Sequence, residues 1–71
     1  MTNDFPISRF SSKRLRKMRE RKGLKMADVV HRMQCTLPTY GGWERGTTKP
    51  SAGDITILCC VLGCSPEDLH E

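Results

Sequence analysis

Apolar residues recur at helical spacing along most of the 71-residue chain, and no stretch of useful length alternates in the way that a half-buried strand does. The first predicted helix starts at a cap on Ser11 or Ser12 and runs to about Lys22, where Gly23 supplies a left-handed stop. The second predicted helix covers residues 26–33, because its apolar residues fall at positions i, i+3, i+4 and i+7.

The third predicted helix, residues 37–45, has a low intrinsic helix propensity. Gly41 and Gly42 each destabilise a helix by about 1 kcal/mol relative to alanine. We therefore expect tertiary packing through Tyr40 and Trp43 to hold this segment helical, with the hydroxyl group of Tyr40 near the surface.

Two more segments carry the signals of helix N-termini. Ser51 and Asp54 have the spacing of a capping box, which predicts a fourth helix from Ala52 to Leu62. Proline at a first helical position, Pro66, predicts a short fifth helix or turn. The fold class is therefore all-α, a compact bundle of five short helices.

A chain of this length has room for one domain, which we place at residues 11–71 behind a partly flexible N-terminal arm at residues 1–10. A domain this small buries only about 60% of the surface that its unfolded chain exposes. Dimerisation is therefore an expected source of further stability. No nucleophile has a convincing base partner in the sequence, so we expect no enzyme activity.

Charge is distributed unevenly along the chain. The segment from Arg9 to Lys25 contains nine basic residues and one acid, Glu20, for a net charge of 9 − 1 = +8, while the remainder sums to −4. This asymmetry indicates a surface that faces a polyanion, although a basic run is also compatible with a solvated helix face.

The sequence contains no apolar stretch of the roughly 20 residues that a membrane span requires. Residues 1–8 lack a basic start followed by an apolar run, so we expect no signal peptide and no membrane partner. The expected location is the bacterial cytoplasm or nucleoid, where the four cysteines stay reduced.

Three cysteines near the C-terminus, Cys59, Cys60 and Cys64, precede His70 and suggest a zinc site at first sight. They contain no C-x-x-C pair, and neighbouring residues on a helix point about 100° apart. We therefore interpret the cysteines as small apolar residues and expect neither a metal nor another cofactor. The sequence also shows no sign of a domain for a small-molecule effector.

The helices predicted at residues 26–33 and 37–45 have the spacing of a helix-turn-helix unit. Around this unit, further motifs follow in order: Leu15-Arg16-Lys17-Met18-Arg19, Gly23-Leu24, Val29, Thr36, Trp43-Glu44-Arg45-Gly46, Pro50-Ser51 and Leu62-Gly63-Cys64-Ser65-Pro66-Glu67-Asp68-Leu69. Together they resemble the Cro/C1-type (XRE-like) helix-turn-helix regulators of phages and bacteria, over about residues 15–69.

The resemblance implies a lambda repressor-like DNA-binding domain and a sequence-specific transcriptional regulator, most often a repressor. Such proteins bind double-stranded DNA as two-fold dimers, with the third helix of each subunit in the major groove and half-sites about 34 Å apart. The resemblance also implies an ion pair between Arg19 and Glu44, which orients the third helix on the first.

The chain departs from the family pattern at several positions. The family has Ser/Thr-Gln where this chain has Lys25-Met26, so we expect the charge of Lys25 to replace the phosphate contact of the glutamine. Gln34 stands where a glycine is frequent, which raises the question of local strain. The expected phosphate contacts are Arg9, Lys13, Arg14, Lys25, Thr36, Arg45, Thr47, Thr48 and Lys49.

The positions at which the family reads bases carry unusual residues, namely Leu37, Pro38, Thr39 and Gly42. Bidentate recognition of guanine or adenine needs Arg, Lys, Asn or Gln, and this stretch has none of them. We therefore expect few base contacts, such as Leu37 on a thymine methyl group, and a large contribution from DNA shape.

Homodimer contacts are expected from the last helix junction, at Val61, Cys64, Pro66 and Leu69. Two alternatives to a sequence-specific regulator stay open. One is a protein-binding helix-turn-helix module, such as an antitoxin or a phage-encoded inhibitor, with an apolar third helix. The other is a non-specific DNA binder that relies on the basic segment.

Overall fold

Four α-helices and one turn of 3₁₀ helix make up the fold in the computed structural model, which describes residues 9–71. The helices are α1 (Ser12–Arg21), α2 (Met26–Met33), α3 (Leu37–Arg45) and α4 (Ala52–Leu62), and the 3₁₀ turn is Pro66–Leu69. Most of the predicted arm, residues 1–8, lies outside the described range. Within that range no helix is long and apolar enough to cross a bilayer.

The prediction of five α-helices is wrong by one. The last segment forms a single turn, because the backbone after it extends and pairs with the chain that precedes α1. The Ser11 N–H donates to the Leu69 carbonyl at 2.8 Å, and the Glu71 N–H donates to the Arg9 carbonyl at 2.8 Å. These two bonds bring the two ends of the described chain together and leave no length for a fifth helix.

The helix ends follow the capping signals of the sequence. The Ser11 hydroxyl accepts a hydrogen bond from the Arg14 N–H at 3.1 Å at the start of α1. At the start of α4, Ser51 and Asp54 form the predicted capping box, in which each side chain accepts from the other's N–H at 3.1 Å. These bonds satisfy amides that would otherwise lack helical partners.

The core draws buried apolar side chains from all four helices and the final turn: Leu15, Val29, Met33, Tyr40, Trp43, Ile55, Leu58, Leu62 and Leu69. Tyr40 and Trp43 pack edge to face, with ring centroids 5.8 Å apart, and so anchor α3 as the sequence predicts. Leu69 is 0% exposed, which contradicts its assignment to a dimer interface, because its side chain is enclosed within one subunit.

The helix-turn-helix unit is present as α2 and α3. Gln34 ends α2 in the left-handed region, with φ of 59°, and it is the one residue other than glycine with positive φ among residues 9–71. The Cys35 N–H then donates to the Val30 carbonyl at 3.2 Å, which closes the turn. The turn therefore keeps the geometry that a glycine usually provides, at some cost in strain.

Replacing Gln34 by glycine is expected to stabilise the domain, by about 1 kcal/mol or less, since glycine adopts the left-handed region without a Cβ clash. The matched control is Gly23→Ala. Gly23 has φ of +70° and nothing within 4 Å of an added Cβ, so that variant isolates the backbone strain and is expected to destabilise. Urea denaturation measures the free energy of unfolding of both variants. A Gln34→Gly variant less stable than the wild type would contradict the presence of backbone strain at Gln34.

Candidate functional site

A buried carboxylate joins α3 to α1. The side chain of Glu44 on α3 is 3% exposed, and its Oε2 atom lies 2.6 Å from Nε of Arg19 on α1. A second hydrogen bond joins Arg19 Nη2 to Oε1 at 3.2 Å. The predicted ion pair is therefore confirmed, in the bidentate geometry that a guanidinium group favours.

The Tyr40 hydroxyl completes this network from within α3, because it donates to Oε2 of Glu44 one helical turn away. The hydroxyl is buried, so the prediction that it lies near the surface is wrong. Arg19 also donates from Nη1 to the Leu24 carbonyl at 2.9 Å, and Arg16, which is half exposed, approaches Oε1 of Glu44 at 3.5 Å. The i, i+4 spacing of Tyr40 and Glu44 is the sequence signal that reveals the tyrosine contact.

The ionisation of this cluster follows from its contacts. Burial acts to raise the pKa of Glu44, but the hydrogen bonds from Arg19 and Tyr40 outweigh it and hold the pKa below its ordinary value. Burial, and then the hydrogen bond to Glu44, raise the pKa of Tyr40. The cluster therefore carries a carboxylate, a guanidinium and a neutral phenol over the physiological range.

With its C-terminal half fixed on α1, α3 presents its start to solvent. Leu37 is 52% exposed, and Pro38 and Thr39 are also exposed. The Thr36 hydroxyl caps this end by accepting from the Thr39 N–H at 3.4 Å and donates to the Thr39 hydroxyl at 2.8 Å. Three of the four predicted base-reading residues thus share an exposed helix end.

The fourth predicted base reader, Gly42, is buried, so the structure contradicts this assignment. Its carbonyl accepts hydrogen bonds from the backbone N–H groups of Gly46, Thr47 and Thr48 at 2.9, 3.0 and 3.3 Å. A Cβ at this position would lie 2.6 Å from the Thr48 hydroxyl. The loop after α3 therefore covers Gly42, and glycine is required for this close approach.

Gly41 likewise leaves space for a neighbouring side chain, the guanidinium group of Arg45. Nη1 of Arg45 lies 2.9 Å from the position that a Cβ on residue 41 would occupy, and Met26 Cε lies 3.7 Å from it. Arg45, Met26, Leu37 and Pro38 line one shallow depression with Gly41. The sequence places Arg45 among the phosphate contacts and gives no sign of its position beside Leu37.

Six of the predicted phosphate contacts border α3 or start α2, and all are exposed: Lys25, Thr36, Arg45, Thr47, Thr48 and Lys49. At the start of α2, the Asp28 carboxylate accepts from the Lys25 N–H at 2.8 Å. That amide therefore already has an acceptor, and a phosphate oxygen could bind it only by displacing the Asp28 carboxylate. The ammonium group of Lys25 carries the attraction for an anion at this end of α2.

The other three predicted phosphate contacts, Arg9, Lys13 and Arg14, lie at the start of α1 and are exposed. The start of α1 is close to the end of α3, since the Ser12 hydroxyl lies 3.4 Å from the site of a Cβ on Gly46. Arg14 faces elsewhere, because it lines a depression with Lys17, Arg21 and Asp68. The structure therefore does not bring Arg14 to α3.

The cysteines lie away from α3, except for Cys35 in the turn. Cys35, Cys59 and Cys64 are half-buried against the core and Cys60 is exposed, all as free thiols. Burial raises the pKa of Cys64 to about 11, and the neighbouring Cys59 acts in the same direction. Among residues 9–71, no three His, Cys, Asp or Glu side chains converge as a metal site would require.

A family model described as a helix-turn-helix domain matches residues 12–71. The chain belongs to this helix-turn-helix family. An HTH-type transcriptional regulator, DdrOP3 of Deinococcus deserti, is 34% identical over 58 residues, which are 82% of this chain and 45% of that protein. The chain thus spans less than half the length of this relative.

Two solved structures are similar to this helix-turn-helix domain. The restriction-modification controller protein C.AhdI from Aeromonas hydrophila is 31% identical with a TM-score of 0.76, over 82% of this chain and 88% of that one. The P22 c2 repressor, in complex with a synthetic operator, is 26% identical with a TM-score of 0.75, over 82% and 88% of the two chains. The resemblance to Cro/C1-type regulators is confirmed.

Replacing Glu44 by glutamine is expected to destabilise the domain by about 3 kcal/mol at neutral pH, because it leaves the Arg19 guanidinium without its buried partner. Since the folded-state pKa of Glu44 is lowered, the advantage of the wild type is complete above the ordinary pKa of 4.5 and declines as the pH falls through the lower folded-state value. Urea denaturation of both proteins between neutral and acid pH measures this difference.

The control for the Glu44 experiment is Arg16→Ala. The Arg16 side chain is 54% exposed, so its pairing with Glu44 is expected to contribute about 0.5 kcal/mol or less. A difference between wild type and the glutamine variant that persists unchanged at acid pH would contradict a charged Glu44.

Proposed function

We propose that the chain is a sequence-specific transcriptional regulator that represses transcription by binding double-stranded DNA as a homodimer. The observation that carries this proposal is the exposed start of α3, held at a fixed angle by the buried Glu44 network and bordered by cations and hydroxyl groups. A helix presented in this way has the dimensions to enter the major groove.

Several features support duplex DNA as the ligand. Lys25 stands at the start of α2, and Thr47, Thr48 and Lys49 form the exposed loop after α3, so hydrogen-bond donors flank the helix-turn-helix unit at both of its ends. Phosphate contacts of this kind fix the register of a protein on DNA and supply most of its affinity. The P22 c2 repressor, which shares the fold, is solved in complex with a synthetic operator.

One observation favours a protein ligand as the second candidate. Exposed Leu37 lines a shallow depression with Ala27, Val30 and Cys35, at the junction of α2 and α3. Apolar surface of this kind is also typical of protein-binding sites. Elsewhere along the helix-turn-helix unit, the exposed cations Lys25, Arg45 and Lys49 favour a polyanion over an apolar partner, which is why we rank DNA first.

Selection from random duplexes at near-physiological salt distinguishes the candidates. We expect enrichment of a two-fold site with half-sites about one helical turn apart. Binding without enrichment and with a steep salt dependence would indicate a non-specific binder, and absence of binding would indicate a protein ligand.

The matched variants for the binding experiment are Lys49→Ala and Lys22→Ala. Lys49 follows α3, whereas the Lys22 ammonium lies beside Gly63 at the end of α4, 2.9 Å from the site of a Cβ on that residue. The salt slope of log K is expected to fall by about 0.9 per subunit, or about 1.8 for the dimer, for Lys49→Ala and to stay unchanged for Lys22→Ala.

We propose that the dimer interface consists of the outer face of α4 and the junction of α4 with the final turn. Ile57, Cys60, Val61 and Cys64 follow each other at i, i+3, i+4 and i+7, and all are exposed or half-buried, with Ile57 44% exposed. They form a partly exposed apolar stripe at the edge of the core, against which Val61 and Cys64 pack. Exposed Pro66 lies beyond it, so three of the four predicted interface residues remain in the proposal.

Ile57→Lys is expected to shift the protein from dimer to monomer in sedimentation equilibrium, because it places a charge within the proposed apolar contact. Thr56→Lys is the matched control, since Thr56 is exposed on the same helix but about 100° away. A wild-type protein that stays monomeric both free and on DNA would contradict the dimer.

A further inference from the structure

Arg45 is the last residue of α3, but its side chain extends back towards the exposed start of that helix. Its side chain folds back along α3, so that Nη1 lies 2.9 Å from the site of a Cβ on Gly41. It thus reaches the depression that Met26, Leu37 and Pro38 also line. A guanidinium group and an exposed leucine therefore share one surface at the start of α3.

The guanidinium is available for a ligand. Among residues 9–71 the ion pairs of Glu44 involve Arg16 and Arg19, and Arg45 takes part in none. Its position rests on the absence of a side chain at residue 41, because any Cβ there would overlap Nη1. Since no hydrogen bond or ion pair within residues 9–71 occupies that guanidinium, it can offer two parallel N–H groups to a planar acceptor pair.

The two neighbouring groups match two different features of the major groove. Guanine presents its O6 and N7 acceptors there, which an arginine binds in bidentate fashion, and thymine presents a 5-methyl group that suits an apolar side chain. Leu37 is 52% exposed and supplies that apolar contact. Residues 37 and 41 are one turn apart, about 6 Å along the helix, which corresponds to at most about two base-pair steps of 3.4 Å along the DNA axis.

We propose that Arg45 and Leu37 together read a guanine and a thymine lying within two base pairs of each other in each half-site. This assignment rests on the proposed DNA-binding function and specifies how the site discriminates between sequences. Gly41 acts as a positioning residue, because its lack of a side chain leaves the space in which the Arg45 guanidinium lies over the helix.

The experiment uses the duplex that the wild-type protein enriches from a random pool. Single guanines are replaced by 7-deazaguanine, which lacks the N7 acceptor, and single thymines by uracil, which lacks only the methyl group. For the wild type we expect about tenfold weaker binding at one guanine per half-site. We expect about threefold weaker binding at a thymine within two base pairs of it.

Protein variants then assign each effect to a side chain. Leu37→Ala is expected to lose the response to uracil, and Arg45→Ala the response to 7-deazaguanine. Gly41→Ala keeps the charge of Arg45 but displaces its flexible end, so it also loses the guanine response, while alanine favours the helix. The matched control is Lys49→Ala, which removes one exposed charge as Arg45→Ala does and retains both responses.

The outcomes separate this inference from the function on which it rests. Failure of the wild type to enrich any duplex would overturn the proposed function. An enriched site that responds to neither base analogue, or an Arg45→Ala variant that keeps the full guanine response, would overturn the reading by Arg45 and Leu37 while DNA binding stands. Circular dichroism checks that each variant is folded.

Discussion

The buried carboxylate of Glu44 is the constraint on which the rest of the site depends. A charge that is removed from water is tolerable only with good partners, and here Arg19 and Tyr40 supply three hydrogen bonds. Because the two partners come from different helices, the network has one low-energy arrangement of α3 on α1. Its main contribution is therefore to orientation: the same network that anchors the end of α3 determines where Leu37 and its neighbours face.

This anchoring explains how α3 tolerates a sequence that disfavours helix. Two adjacent glycines lower the helix propensity of the segment, but later residues of the chain pack against each of them. The Gly42 carbonyl collects three amides of the following loop, and the surface of Gly41 receives the end of Arg45. The last residue of the helix and the loop after it thus occupy the space that side chains at residues 41 and 42 would fill.

The helix boundaries and most of the core follow from local rules, so the sequence predicts them well. Ser11, Ser51 and the glycines after α1 and α4 mark the ends that the structure shows. The failures concern burial, rotamers and backbone pairing, which the local rules of capping and periodicity do not describe. Pairing of Leu69 with Ser11 ends the last helix early, and the Tyr40 hydroxyl turns inward and donates to the buried Glu44 carboxylate. Arg45 escapes prediction because a rotamer, not a spacing, brings it beside Leu37.

The proposed reading surface, with one guanidinium and one leucine, limits how much sequence a single domain can discriminate. Each good base contact contributes about 1–3 kcal/mol of discrimination, whereas a genome offers very many competing sites. Phosphate contacts raise the affinity for all of these sites alike. Specificity must therefore be multiplied by other means, and a two-fold dimer doubles the number of base contacts without a new recognition residue. In the proposed dimer, the apolar stripe on α4 and the sparse surface of α3 are therefore complementary: the fewer bases each subunit reads, the more the specificity depends on pairing of subunits.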